Sequence, residues 1–251
     1  MDNMDNMDNY QNICVNRKGE LECSNMTTLE LIEEIEIGQC YRIKLDGLEK
    51  IEDTNWRYFI NKQFSPSLLE LSITDSSDSS DSSDSDNSNI LGSSHYLILD
   101  NDFEIPIADS KYLWYYGVKI MELDEIICFD TDINKLPLFS IDIGRNYMEG
   151  YIMKNGGGIY LEKHERPHFY MKDNKSASGY ICFAKECTDG IYISAFEVPY
   201  RKALYVPDNI IHNDCFLVGK YNVIYSKTPK YTTLKLVNKD LEPIKIKIII
   251  V

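Results

Sequence analysis

From residue 93 onward, short apolar and aromatic runs recur along the chain, and polar turn-formers separate many of them. The runs fall at 95–99, 112–123, 126–129, 138–143, 158–161, 179–183, 191–198, 203–206, 221–225, 232–237 and 244–251. They are rich in Ile, Val, Tyr and Phe, residues that suit a pleated, half-buried surface. Many short strands at this spacing predict an all-β sandwich or barrel. A parallel sheet would need helical crossovers, and no helix of convincing length is legible here, so the expected sheet is mainly antiparallel. Residues 243–251 alternate and then become wholly apolar. As an exposed edge they would invite aggregation, so they are expected to pair inside the sheet.

The first third of the chain reads differently. Met-Asp-Asn occurs three times in residues 1–9, which offer nothing to bury, and the expectation there is disorder. Residues 26–38 predict one short helix: Thr27 and Glu30 fit a capping box, Leu31, Ile32 and Ile35 an apolar face, and Gly38 a C-terminal stop. Strand-like runs follow at 40–45 and 56–60. Residues 74–89 read TDSSDSSDSSDSDNSN and have no apolar position at all. They are read as a flexible acidic linker or loop insertion, whose serines also resemble acidophilic kinase sites. The organisation expected is a disordered tail over 1–25, a small N-terminal region over 26–70, the Ser/Asp-rich segment over 71–92 and a β domain over 93–251.

The chain has 251 residues, with 40 acidic and 26 basic side chains and a net charge of −14. Eight of the acids sit in two segments that hold no Lys or Arg, residues 1–9 and 75–86, so the rest of the chain is only mildly acidic. A surplus of negative charge argues against nucleic-acid binding and against docking on an anionic membrane. No run of about 18 apolar residues predicts a membrane span, and the polar N-terminus does not resemble a secretory signal. The seven cysteines are scattered and form no CxxC pair, so they are expected to be reduced thiols in a cytoplasmic protein.

Candidate chemistry rests on histidine. Of His95, His164, His168 and His212, three fall between 164 and 212. They belong to two elements, Gly158-Ile-Tyr-Leu-Glu-Lys-His164-Glu-Arg-Pro-His168-Phe-Tyr170 and Tyr205-Val-Pro207-Asp-Asn209-Ile-Ile-His212. Side chains at i and i+2 of a strand share a face, so His168 and Tyr170 would point to one side and Phe169 to the other. A tight turn could then aim His212 at the same point.

The pair of elements resembles the two sequence motifs of the cupin superfamily. In that alignment His168 and Tyr170 take the two His-x-His places, Asp173 the acidic place and Gly179 the closing glycine. Pro207 and His212 match the second motif. Asn209 replaces its glycine, as a residue that tolerates the left-handed conformation, and Arg201 stands at its leading glycine. An alternative alignment puts His164 in the first place. The resemblance implies a cupin-type β-sandwich that binds a small molecule. Two chemistries follow from it. In one, His168 and His212 with Asp173 or His164 bind a divalent Fe, Mn, Ni or Zn ion. In the other, no metal binds, His168 or His212 is a general base and Tyr170 an acid, as in sugar isomerases of that superfamily. A homodimer through the C-terminal strand is compatible with both. The competing expectation is a non-enzymatic interaction or structural protein that uses the barrel as a scaffold. The run Asn155-Gly156-Gly157-Gly158 precedes a strand and is read as a hairpin turn rather than a phosphate loop.

Overall fold

The computed structural model describes residues 13–15, 21–23, 27–51, 93–154, 156–225, 228 and 230–250. The Ser/Asp-rich segment, the run at 56–60 and most of the N-terminal tail lie outside the described residues. The strands in chain order are β1 (Ile13–Val15), β2 (Leu21–Cys23), β3 (Thr27–Glu36), β4 (Cys40–Lys44), β5 (Gly47–Ile51), β6 (Ser93–Ile98), β7 (Phe103–Pro106), β8 (Lys119–Glu122) and β9 (Ile126–Cys128). They continue with β10 (Lys135–Ile143), β11 (Tyr160–His164), β12 (His168–Lys172), β13 (Ser178–Cys187), β14 (Gly190–Phe196), β15 (Lys202–Val206), β16 (Ile211–Ile224), β17 (Tyr231–Val237) and β18 (Ile246–Ile249). Short helical turns cover Ser110–Tyr116 and Met148–Ile152.

The expectation of a mostly β, sandwich-like protein holds among the described residues. The main sheet runs β6-β17-β11-β16-β12-β15-β8, with β10 and β13 also pairing with β16, β3 with β10 and β14 with β13. All its pairs are antiparallel except β17 with β6. The C-terminal strand β18 does not enter the main sheet as expected; it pairs in parallel with β7 in a separate two-stranded sheet.

β16 is the hub. Its first part pairs with β13, and its last part, Gly219–Ile224, pairs with β10 and β12. Two devices let one strand serve both. Gly219 has φ 94, and a Cβ there would lie 2.9 Å from Ala177 Cα, so only glycine fits the bend. A bulge sets Asp214 and Cys215 against Ile181, because Cys182 pairs with Asn213 while Tyr180 pairs with Phe216. Such an insertion re-aims side chains and increases local twist.

β12 is buried throughout. Its alternation therefore feeds two cores, Tyr170 packing with Phe183, Phe196 and Tyr221, and Phe169 and Met171 packing with Tyr41 and Phe129. A third core joins Ile105, Ile159, Leu236 and Ile244.

Several expectations are corrected. Residues 27–36 form strand β3, not a helix. Leu29 and Leu31 pair with Ile141 and Phe139, a bulge at Ile32 shifts the register, and Ile35 then meets Leu136. The bulge moves the apolar positions from two-residue to four-residue spacing, which imitates a helical face. Because β3 pairs with β10 and β4 pairs with β9, residues 27–51 are woven into the sheet system that residues 93–250 complete. The first half of the run at 112–123 is helical rather than extended. The glycine run leads from the turn at Met148–Ile152 into β11 instead of closing a hairpin. Its Gly156 and Gly158 amides donate to Tyr151 O and Ile152 O, which leaves them no role in cradling phosphate. Cys40 and Cys128 are opposite one another on β4 and β9 and form a disulfide, so not all the thiols are reduced. Cys182, Cys187 and Cys215 are free. No helix among the described residues is long and apolar enough to cross a membrane.

Candidate metal centre

Three strands deliver one cluster. On β11, Glu162 and His164 share a face by alternation. After three intervening residues the chain enters β12, where His168 and Tyr170 share a face in the same way. β16, entered through the turn after β15, supplies the last member, His212. Asn209 in that turn has φ 62, the left-handed conformation expected of it, and its amide donates to His164 O at 2.7 Å. That bond pins the turn to β11 and sets His212 directly opposite Glu162. Arg201, at the other position where glycine was expected, has φ 64.

The ligand atoms of Glu162, His164, His168 and His212 all lie within 4.8 Å of one another, a set able to hold a metal ion. His164 Nε2 and His168 Nε2 are 2.8 Å apart. The His168 and His212 ring centroids are 4.8 Å apart, and those of His164 and His212 5.1 Å. His212 Nε2 is buried with no hydrogen-bond partner, and Glu162 Oε1 lies 3.5 Å from it. The other ring nitrogens are fixed by the backbone. His168 Nδ1 donates to Ile224 O at 2.9 Å and His212 Nδ1 to Ile210 O at 2.8 Å, while Arg166 N–H donates to His164 Nδ1 at 3.3 Å.

The three histidines are 8%, 4% and 1% exposed in chain order, whereas the Glu162 side chain retains 31%. Burial disfavours the charged form, so all three imidazoles are held below their ordinary pKa, His164 at about 3, and for His164 and His168 the neighbouring histidines add to the effect. Burial, and then the charge of Asp214, push the Glu162 carboxyl up to about 8. Asp214 is the residue at the β16 bulge, and both Tyr170 and Tyr225 donate to its Oδ2. Both rings also meet His168 edge-on, at 5.7 and 5.1 Å. Burial first, and then Asp214, keep the two phenols well above their ordinary pKa.

Of the expected site residues, His164, His168, Tyr170 and His212 are brought together, and Phe169 faces the opposite core. Asp173 is not among them. Its amide donates to Lys220 O, and its carboxylate lies 4.0 Å from Lys220 Nζ. The carboxylate of the cluster is Glu162, which sequence reasoning missed although Glu162-x-His164 shows the same two-residue spacing as His168-x-Tyr170. His95 lies opposite Leu234, outside the cluster. Cys215, three residues after His212, is buried, and burial raises its thiol pKa well above the ordinary value. Comparison of the chain with known protein families, with curated proteins and with solved structures finds no match.

Proposed function

We propose that this chain is a metal-binding β protein of cupin type, whose cluster of Glu162, His164, His168 and His212 holds one divalent transition-metal ion. The observation that carries the reading is the packing of four donor groups within 4.8 Å, with His212 Nε2 buried and unpartnered among them. A buried polar atom without a partner is costly, and a metal ion would satisfy it. The donor set fits such an ion. Neutral imidazoles and one carboxylate suit Fe, Mn, Ni or Zn, and burial already favours the neutral imidazole that a ligand must be. Backbone carbonyls behind His168 and His212 supply the outer hydrogen bonds that orient metal-binding histidines. The cupin-type reading draws support from the meeting of its two motifs in space and from the left-handed Asn209 and Arg201 at its glycine positions. A small molecule bound at the ion is the function expected of such a centre.

A metal-free cluster is the second reading, favoured by the 2.8 Å contact between His164 and His168. In that reading Tyr170 is a poor acid for a substrate, because its hydroxyl is engaged by Asp214. Elemental analysis of protein purified without a histidine tag separates the two. The metal reading expects close to one Fe, Mn, Ni or Zn ion per chain, lost in the His168→Ala/His212→Ala double variant. No metal in the wild-type protein, even after reconstitution, would leave a hydrogen-bonded histidine cluster in a scaffold.

A further inference from the structure

We infer that only Glu162, His168 and His212 coordinate the ion, and that His164 instead donates a hydrogen bond from Nε2 to an oxygen-donor ligand at an open coordination position. This rests on the metal reading above. A neutral imidazole carries one proton, and the partner of one nitrogen decides where it sits. Carbonyl oxygens only accept. His168 and His212 therefore carry their protons on Nδ1, bonded to Ile224 O and Ile210 O, and turn Nε2 lone pairs toward the cluster.

His164 is set the opposite way. An amide N–H only donates, so the Arg166 N–H directed at Nδ1 assigns that atom a lone pair and places the proton on Nε2. The rest of the geometry agrees, because His164 Nε2 then donates to the His168 Nε2 lone pair across 2.8 Å. To bind an ion through Nε2, His164 would have to move its proton to Nδ1 and face one N–H with another. With His168 Nε2 engaged by an ion, the His164 N–H needs a new acceptor. Its ring is buried, and an acceptor bound to that ion is the partner the site offers.

Two histidines and one carboxylate form a set that leaves positions open for exogenous ligands. The ligand class that both binds a hard or borderline divalent ion and accepts an imidazole N–H is an oxygen donor, a water molecule or a carboxylate of a substrate.

Cobalt(II) and acetate serve as probes for the test. His164→Phe keeps a ring against His168 and His212 but removes the N–H. It is expected to retain one cobalt per chain, whereas His168→Phe and His212→Phe, each lacking a coordinating nitrogen, are expected to lose stoichiometric cobalt. Acetate is expected to shift the visible cobalt bands of the wild-type protein, with its half-saturation raised about 10-fold or more in His164→Phe. Pulsed EPR of the copper(II)-loaded wild-type protein is expected to count two coordinated imidazoles, a readout that does not depend on any variant folding. Three imidazoles, a His164→Phe loss as deep as that of His212→Phe, or acetate without effect on the wild-type bands would overturn the inference while leaving the metal centre standing. Wild-type protein that takes up no cobalt would overturn both.

Discussion

His164, His168 and His212 are neutral because they are buried, and Glu162 is held protonated well above its ordinary range. The two kinds of shift pull stability in opposite directions. In the unfolded chain a histidine titrates near 6.5, and in the folded metal-free protein it does so lower. As pH falls below about 6.5 the unfolded state takes up protons that the native state refuses, and stability is lost at roughly 1.4 kcal/mol per pH unit for each proton of difference. Glu162 has its folded pKa raised to about 8, so its contribution is present at low pH and is lost as pH rises from the unfolded value toward about 8. Three histidines outnumber one carboxyl below 6.5, and Glu162 acts alone above it. Metal-free protein is therefore expected to show a stability maximum near pH 6.5. Urea midpoints across pH 4.5–8.5 check this. Glu162→Gln is expected to flatten the alkaline limb and leave the acid limb, and an unchanged alkaline limb would refute the assignment to Glu162.

At the scale of elements, what was legible is what obeys alternation. The histidines and Tyr170 were found because i and i+2 share a strand face and because Pro207 and Asn209 announce a turn before His212. Glu162 obeys the same rule, but the motif alignment assigns the acidic place downstream, at Asp173. What alternation does not cover stayed hidden. The bulge at Ile32 made β3 look helical, and the bulge that sets Asp214 beneath Tyr170 and Tyr225 leaves no mark in composition. Long-range pairing is equally silent, since no spacing says that Cys40 will lie opposite Cys128. That disulfide spans 88 residues of sequence. Closing a loop of that size removes unfolded-chain entropy worth about 4–5 kcal/mol in the chain-entropy account. Reduction, or Cys40→Ser, is thus expected to lower the urea midpoint substantially while the β signature in circular dichroism persists. A mass increase of two hydrogens on reduction without any change in midpoint would show that strands β4 and β9 hold together without the bond.

Across the whole molecule, the cluster closes a circuit. β16 begins at the cluster with His212, runs through the bulge at Asp214 and the bend at Gly219, and ends at Ile224, whose carbonyl accepts from His168. β11 pairs with β16 at Glu162–His212, where the Asn213 side-chain amide also donates to Tyr160 O at 2.7 Å, and β12 pairs with its far end. One ion bound by residues of β11, β12 and β16 would join both ends of the longest strand to each other. Binding to the folded state alone stabilises it by about 2.7 kcal/mol at a free metal concentration of 100 Kd. For a chain of this size each kcal/mol is worth about 2–4 °C in Tm, so the expected rise is about 5–11 °C. Calorimetry of metal-free protein with and without the ion identified by elemental analysis measures it, and the rise should continue with the logarithm of metal concentration beyond saturation. The variants divide the possible causes. His212→Ala is expected to abolish the shift. Asp173→Asn, which changes a carboxylate outside the cluster, is expected to preserve it in full. A shift that survived His212→Ala would place the stabilising ion somewhere other than the junction of these three strands.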